Sequence, residues 1–309
     1  MSQGMLPVGR RAAVRVPATS ANLGPGFDSL GLALNWSDRF EATVTAGGFT
    51  FDLSGDGTES LPRTADHLVI RTLLETLEEL GTAVSGLHLR AHSTIPLARG
   101  LGSSSAAIVA GLLLAWELAN PGVSWDTDWA FSRACALEGH GDNVGPAILG
   151  DFTIAWTGTG GAKPSLFRSK VHDDVRALVL VPSGELLTDS ARAALPSAVP
   201  LADAIANTAS SALLVHAMAE DPSLFFEATT DRLHQPYRAS LYPHSHALLT
   251  ALRERGYGAA ISGAGPTVLV LHAQEQSDDL MRVADDAPLV AGWAAHLLRP
   301  GRGAHVVDG

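Results

Sequence analysis

Apolar positions along the chain recur with two periods, one near two residues and one near 3.6, and the two alternate from end to end. Ala12–Val16 alternates apolar and basic residues and predicts a strand; Arg39–Thr45 and Thr50–Leu53 predict two more around the turn Ala46-Gly47-Gly48. Leu68, Val69, Thr72, Leu73, Leu77 and Leu80 sit at helical spacing, predicting a helix over Asp66–Leu80 that Gly81 stops. Leu87–Ser93 alternates again. Ile108–Ala119 is apolar nearly all round, the pattern of a buried helix. Trp125–Glu138 predicts a further helix, ended by Gly139-His140-Gly141, and Phe152–Trp156 a strand. The second half opens on a strong strand, Ala177–Val181, followed by helical segments at Leu201–Ala219, Leu224–Thr230 and His244–Arg255. Tyr257–Ile261 and Val268–His272 then predict strands. Helices and strands alternate without simple repetition, which predicts an α+β protein. The connection-like Thr157-Gly158-Thr159-Gly160-Gly161 divides it into residues 1–160 and 161–309.

Three segments break this periodicity with glycine: Pro17–Asp28, Pro96–Ala107 and Ser262–Thr267. In the second, Pro96, Leu97, Ala98, Arg99, Gly100, Leu101 and Gly102 lead into Ser103, Ser104, Ser105, Ala106 and the apolar helix. Gly100 and Gly102 permit a tight turn and close backbone approach to a ligand. The serines supply an N-cap and free hydroxyls where a helix presents unpaired N–H groups, a setting suited to phosphate. An ordinary capped helix after a turn is the competing reading. The loop lacks the G-x-x-x-x-G-K-[ST] pattern and the third glycine of a dinucleotide fingerprint. Lys163 and Lys170 are the only lysines, both remote from it. A nucleotide bound here would be neutralised by backbone amides, serine hydroxyls and a metal.

Composition narrows the class. The 309 residues, 46% hydrophobic and 17% charged, fit a soluble globular protein with ample core. The net charge of −11 disfavours nucleic acid as a partner. A single cysteine, Cys135, excludes an internal disulfide and a cysteine-rich metal site. Met1–Arg11 has no apolar core of a secretory signal, and Ile108–Ala119, interrupted by Glu117, is too short to span a bilayer. The expectation is a cytoplasmic protein with neither membrane nor nucleic-acid partners.

Taken in order, the three glycine-rich segments resemble the signature motifs of the GHMP kinases. Pro17-Ala18-Thr19-Ser20-Ala21-Asn22-Leu23-Gly24-Pro25-Gly26-Phe27-Asp28 resembles the homoserine-phosphorylating members, as do Gly139–Pro146, Thr188–Arg192 and Arg232–Arg238. The resemblance runs from about Val14 to about Leu271. It implies a two-domain α+β GHMP kinase fold, with an N-terminal domain like the second domain of a small-subunit ribosomal protein and a ferredoxin-like C-terminal domain. It further implies ATP and Mg2+ as cofactors, a homodimer, and transfer of phosphate from ATP to the hydroxyl of L-homoserine.

On that resemblance Pro96–Ala106 binds the nucleotide, while Ser104 and Glu138 hold the metal. Arg192 and Arg238 take the substrate carboxylate, with the Thr188 hydroxyl near it. Asn22 and Asp28 take the ammonium, and His140 and Asn143 complete the pocket. Bidentate guanidinium–carboxylate pairing suits the first task. Read without the resemblance, the arginines are surface charges, Asn22 and Asp28 turn formers, and Glu138 a solvated residue near a helix end. Glu138 stands only two residues before His140, closer than in many relatives. Gly141 and Gly145 replace the usual proline and alanine. The expected mechanism is in-line attack without a protein base, because the catalytic aspartate of mevalonate kinase has Asn143 in its position; Asp142 is the alternative base. Related acceptors such as threonine or a small polyol, and a catalytically silent sensor on the same fold, are the competing functions. Ser262 and Gly263 are expected to brace the phosphate loop.

Overall fold

The computed structural model describes residues 4–308 except 56, 159–161, 187 and 287–289, together with all but the side chains of residues 188 and 189. Its strands are β1 (Gly4–Met5), β2 (Arg11–Ala21), β3 (Leu30–Thr45), β4 (Gly48–Ser54), β5 (Thr82–Ala83), β6 (Gly86–His92), β7 (Phe152–Thr157), β8 (Pro164–Ser169), β9 (Val175–Pro182), β10 (Gly258–Ile261), β11 (Val268–Ala273), β12 (Trp293–Leu298) and β13 (His305–Val306). Its helices are α1 (Leu68–Glu79), α2 (Ser103–Ala119), α3 (Thr127–Glu138), α4 (Val144–Leu149), α5 (Thr188–Ala193), α6 (Leu201–Ala219), α7 (Phe225–Ala228), α8 (Gln235–Arg238), α9 (Pro243–Glu254) and α10 (Ser277–Ala284).

The larger sheet runs β13-β2-β3-β6-β4, with β7 pairing the start of β3 and β8 pairing β7. Only β4 and β6 are parallel within it, and α1 makes the crossover that a parallel pair requires. α2 lies against β2 and β3 and is covered by α1, α3 and α4. That burial on every side is why its sequence shows no polar stripe. Gly111 lets α1 come close: a Cβ there would stand 2.7 Å from Thr72 Cβ and 2.8 Å from the Val69 carbonyl oxygen.

The smaller sheet has order β10-β11-β9-β12 and is antiparallel throughout. This is the βαββαβ order of a ferredoxin-like fold, with α5–α9 in the first crossover and α10 in the second. Along β9, Leu178 and Leu180 pack with Leu248, Leu252 and Leu280, while Ala177, Val179 and Val181 face the other way into the main core. A strand covered on both faces reads as an unbroken apolar run, which is how Ala177–Val181 stood out.

The first glycine-rich segment is strand for longer than expected. β2 continues to Ala21, past a register shift between Pro17 and Thr19 that accommodates the missing proline N–H. The division expected near residue 160 falls between β7 and β8, where 159–161 lie outside the described residues. The larger sheet takes β8 and β13 from beyond it. β8, β12 and β13 had no clear period-two signal.

Candidate functional site

The three glycine-rich segments meet in one cleft. β6 delivers the chain to the second of them, and α2 begins at its far end with Gly102 as N-cap at φ +68°. A serine cap was expected here and is absent: no side chain caps this turn. The hydroxyls are engaged elsewhere, Ser104 Oγ donating to Glu138 Oε2 and Ser105 Oγ to Glu138 Oε1, both at 2.7 Å. The N–H groups of the first turn thus carry no side-chain cap, a setting that suits an anion.

The third segment braces the loop, as expected. Ser262 Oγ donates to the Gly100 carbonyl at 2.6 Å, the Thr267 amide reaches the Arg99 carbonyl, and the Gly263 amide reaches the Ala21 carbonyl. The contact depends on glycine: a Cβ on Gly100 would stand 2.3 Å from the Ser262 carbonyl oxygen.

Not all of the loop faces the cleft. Ala98, Gly100, Gly102, Ser103 and Ser104 line it. Leu101, Ser105 and Ala106 are buried beneath it. Pro96, Leu97 and Arg99 border a neighbouring hollow with Gly57 and Pro182. The Arg99 guanidinium ties the loop to the end of β9, donating to the carbonyls of Leu97, Pro182 and Ser183 and pairing with Glu185 at 3.1 Å.

On the opposite wall stand the groups expected to meet an amino acid. Arg192 grips Asp28 at two points, 2.9 and 3.0 Å, which holds its guanidinium above the usual pKa. Arg238 is 3% exposed; it donates from Nε to the Ala191 carbonyl at 2.8 Å, and burial pulls its pKa down. Both guanidinium carbons lie over the Phe27 ring, at 5.9 and 5.2 Å. Asn22, at φ +67°, donates from Nδ2 to the Gly263 carbonyl and accepts the Asp28 amide on Oδ1. It therefore shapes the first loop as well as lining the cleft. Thr188 lies on α5, and its side chain is outside the described residues.

At the floor, His140 Nδ1 and Asp142 Oδ1 are 2.7 Å apart, and this bond raises the histidine pKa against the effect of burial. Beside them, Thr19 Oγ1 donates to Asn143 Oδ1 at 2.8 Å, which turns the Asn143 amide N–H2 toward the cleft. Ser104 and Glu138 present hard oxygens at the phosphate loop, the donor set that suits Mg2+.

Thr19, Phe27, His234 and Leu186 escaped the sequence reading. Thr19 and Phe27 stood inside the first motif without a titratable group to mark them. Leu186 closes over the loop, its amide reaching the Ala98 carbonyl.

Known proteins fit this cleft on both sides. A model of the GHMP kinases N terminal domain matches residues 67–151, and one of the GHMP kinases C terminal matches residues 210–284. The homoserine kinase of Streptomyces avermitilis is 45% identical over 97% of this chain and 98% of its own length. That of Clavibacter michiganensis is 48% identical over 86% of this chain and 84% of its own. The crystal structure of homoserine kinase from Cytophaga hutchinsonii superposes with a TM-score of 0.81, at 28% identity, covering 96% of this chain and 98% of that one. The matched segments run through the phosphate loop on one side and through α8 and the third glycine-rich segment on the other, and on this ground the chain belongs to the GHMP kinase family.

Proposed function

We propose that this enzyme transfers the γ-phosphoryl group of ATP to the hydroxyl of L-homoserine, giving O-phospho-L-homoserine, in threonine biosynthesis. The observation that carries the reading is Arg238: a buried guanidinium with no carboxylate bonded to it among the described residues, opening into the cleft beside the Arg192–Asp28 pair. An α-carboxylate answers such a group, and a polyol or an isoprenoid alcohol does not. Arg238 and Arg192 take that carboxylate, and Asp28 with the Asn22 carbonyl takes the ammonium.

Phosphoryl transfer asks the protein for position and charge more than for a nucleophile-activating base. The Asn143 amide, aimed by Thr19, donates to the acceptor oxygen and leaves its lone pair toward the phosphate. Asp142 is occupied by His140, so the hydroxyl proton leaves late, to a phosphate oxygen or water. Ser104 and Glu138 would hold Mg2+, which when bound offsets phosphate charge. The open N–H groups of the first turn of α2 cradle the phosphates. A cytoplasmic location and a homodimeric assembly belong to the same proposal through the family resemblance, and sizing in solution tests the second.

The deciding experiment is phosphorus NMR with Mg-ATP and L-homoserine, L-threonine or no acceptor. A phosphomonoester signal with homoserine alone establishes the activity. No product with either acceptor, from protein that still binds ATP, overturns it.

A further inference from the structure

We infer that His234 is a positioning residue that holds Arg238 without cancelling its charge. The inference rests on the reading of Arg238 as the carboxylate anchor and concerns how a buried guanidinium stays available to a ligand.

His234 is fully buried at the start of α8. Its Nε2 lies 2.9 Å from the Gly24 carbonyl oxygen, which can only accept, so the ring proton sits on Nε2. Nδ1 is then a bare lone pair, and it lies 3.2 Å from Arg238 Nη1, which can only donate. The Phe27 ring stacks on the imidazole at 5.2 Å and carries both guanidinium groups on its face. The nearest acid, Asp231, has Oδ2 at 3.6 Å from Nε2, beyond hydrogen-bond distance, and its carboxylate accepts the amides of Leu233, His234 and Gln235. Burial pulls the imidazole pKa down, which favours its neutral form.

The contrast with Arg192 gives this arrangement its meaning. Arg192 is held by a carboxylate, so its charge is already answered. Arg238 is held by a carbonyl and a neutral imidazole, which satisfy N–H groups and leave a full positive charge in a nearly dry wall. A carboxylate in place of His234 would fix the same geometry and compete with the ligand. The same ring bonds the first glycine-rich loop at Gly24, so one side chain sets the anchor and the loop opposite it.

Two amides separate these roles. Asn at 234 places a polar atom near the Nδ1 position and keeps an acceptor for Arg238; Gln reaches the Nε2 position and keeps a donor for Gly24. His234→Gln and His234→Ala are expected to raise the KM for homoserine roughly tenfold or more, as for loss of a hydrogen bond to a charged group. The kcat and the KM for ATP should hold, and His234→Asn should recover most of the loss. In an Arg238→Ala background, His234→Gln should add nothing. The inference is overturned if His234→Gln matches wild type, if His234→Asn is as impaired as His234→Ala, or if the effect persists without Arg238. Wild-type enzyme that phosphorylates a different acceptor would instead overturn the proposed function, a result read before any variant is made.

Discussion

Arg192 and Asp28 hold each other in a two-point ion pair, Nη2 to Oδ1 at 2.9 Å and Nη1 to Oδ2 at 3.0 Å. They are the groups assigned to opposite ends of the substrate. Under the proposed function an incoming zwitterion would exchange its carboxylate and ammonium for this contact, replacing one neutral arrangement by another.

Asp28→Asn should therefore affect binding far more than folding. The pair is partly exposed, so its loss should change stability by no more than about 1 kcal/mol. The KM for homoserine should rise roughly tenfold or more, with the KM for ATP unchanged. Steady-state kinetics beside a thermal melt check both halves; a large loss of stability would mean that the pair is chiefly a strut.

Glu138 accepts from two serines at the phosphate loop, and its Oε2 contact is the Ser104 hydroxyl. Glu138→Gln should raise the Mg2+ concentration for half-maximal activity by at least about 10–100-fold. A Mg2+ titration at saturating ATP reads this directly. An unchanged midpoint would remove Glu138 from the metal site.

Gly102 stands at φ +68°, where a Cβ would come within 2.0 Å of Thr19 Oγ1 and 3.0 Å of Asn143 Oδ1. Gly102→Ala should break the bond that aims Asn143 and cost about 1–3 kcal/mol of stability. Urea unfolding and kcat measured on the same preparation test it, and kcat should fall even at temperatures where the variant is fully folded.

Two histidines should give stability opposite pH slopes. Burial pulls His67 down to about 4, so between about 4 and its unfolded value near 6.5 the unfolded chain binds more protons. Its contribution is complete above that window and is lost as pH falls. The bond to Asp142 raises His140, so its contribution is present below its unfolded value and is lost as pH rises through the raised folded value. Denaturation midpoints should fall less steeply between about pH 6.5 and 4 in His67→Leu, and less steeply as pH rises past the free histidine value in His140→Asn.

The apolar periods foretold much of this architecture because burial is written locally. Leu201–Ala219 was foretold at both ends, and β9 announced its two covered faces. β12 did not, because its apolar residues, Trp293, Ala294, Ala295, Leu297 and Leu298, do not alternate and none of them is fully buried. In the cleft, the charged residues were marked by the resemblance and not by their type, and their pairing was not foreseen. Nothing local to Arg192 names Asp28 as its partner, and nothing in Ser104 or Ser105 foretells that Glu138 takes their hydroxyls instead of the helix end. Such contacts are made by the meeting of segments far apart in the chain. His234 was passed over because a buried histidine inside a helix start carries no distinctive spacing.

β13 pairs with β2, the strand that runs directly into the first glycine-rich loop. Around it, Gly301 and Gly303 approach Leu34 and Ile148 so closely that a Cβ on either would stand 2.3 Å from a backbone oxygen. The β2 edge is thus covered, over Val14 and Arg15, by the last of the described strands. A short cap of this kind blunts the edge as a template for another chain.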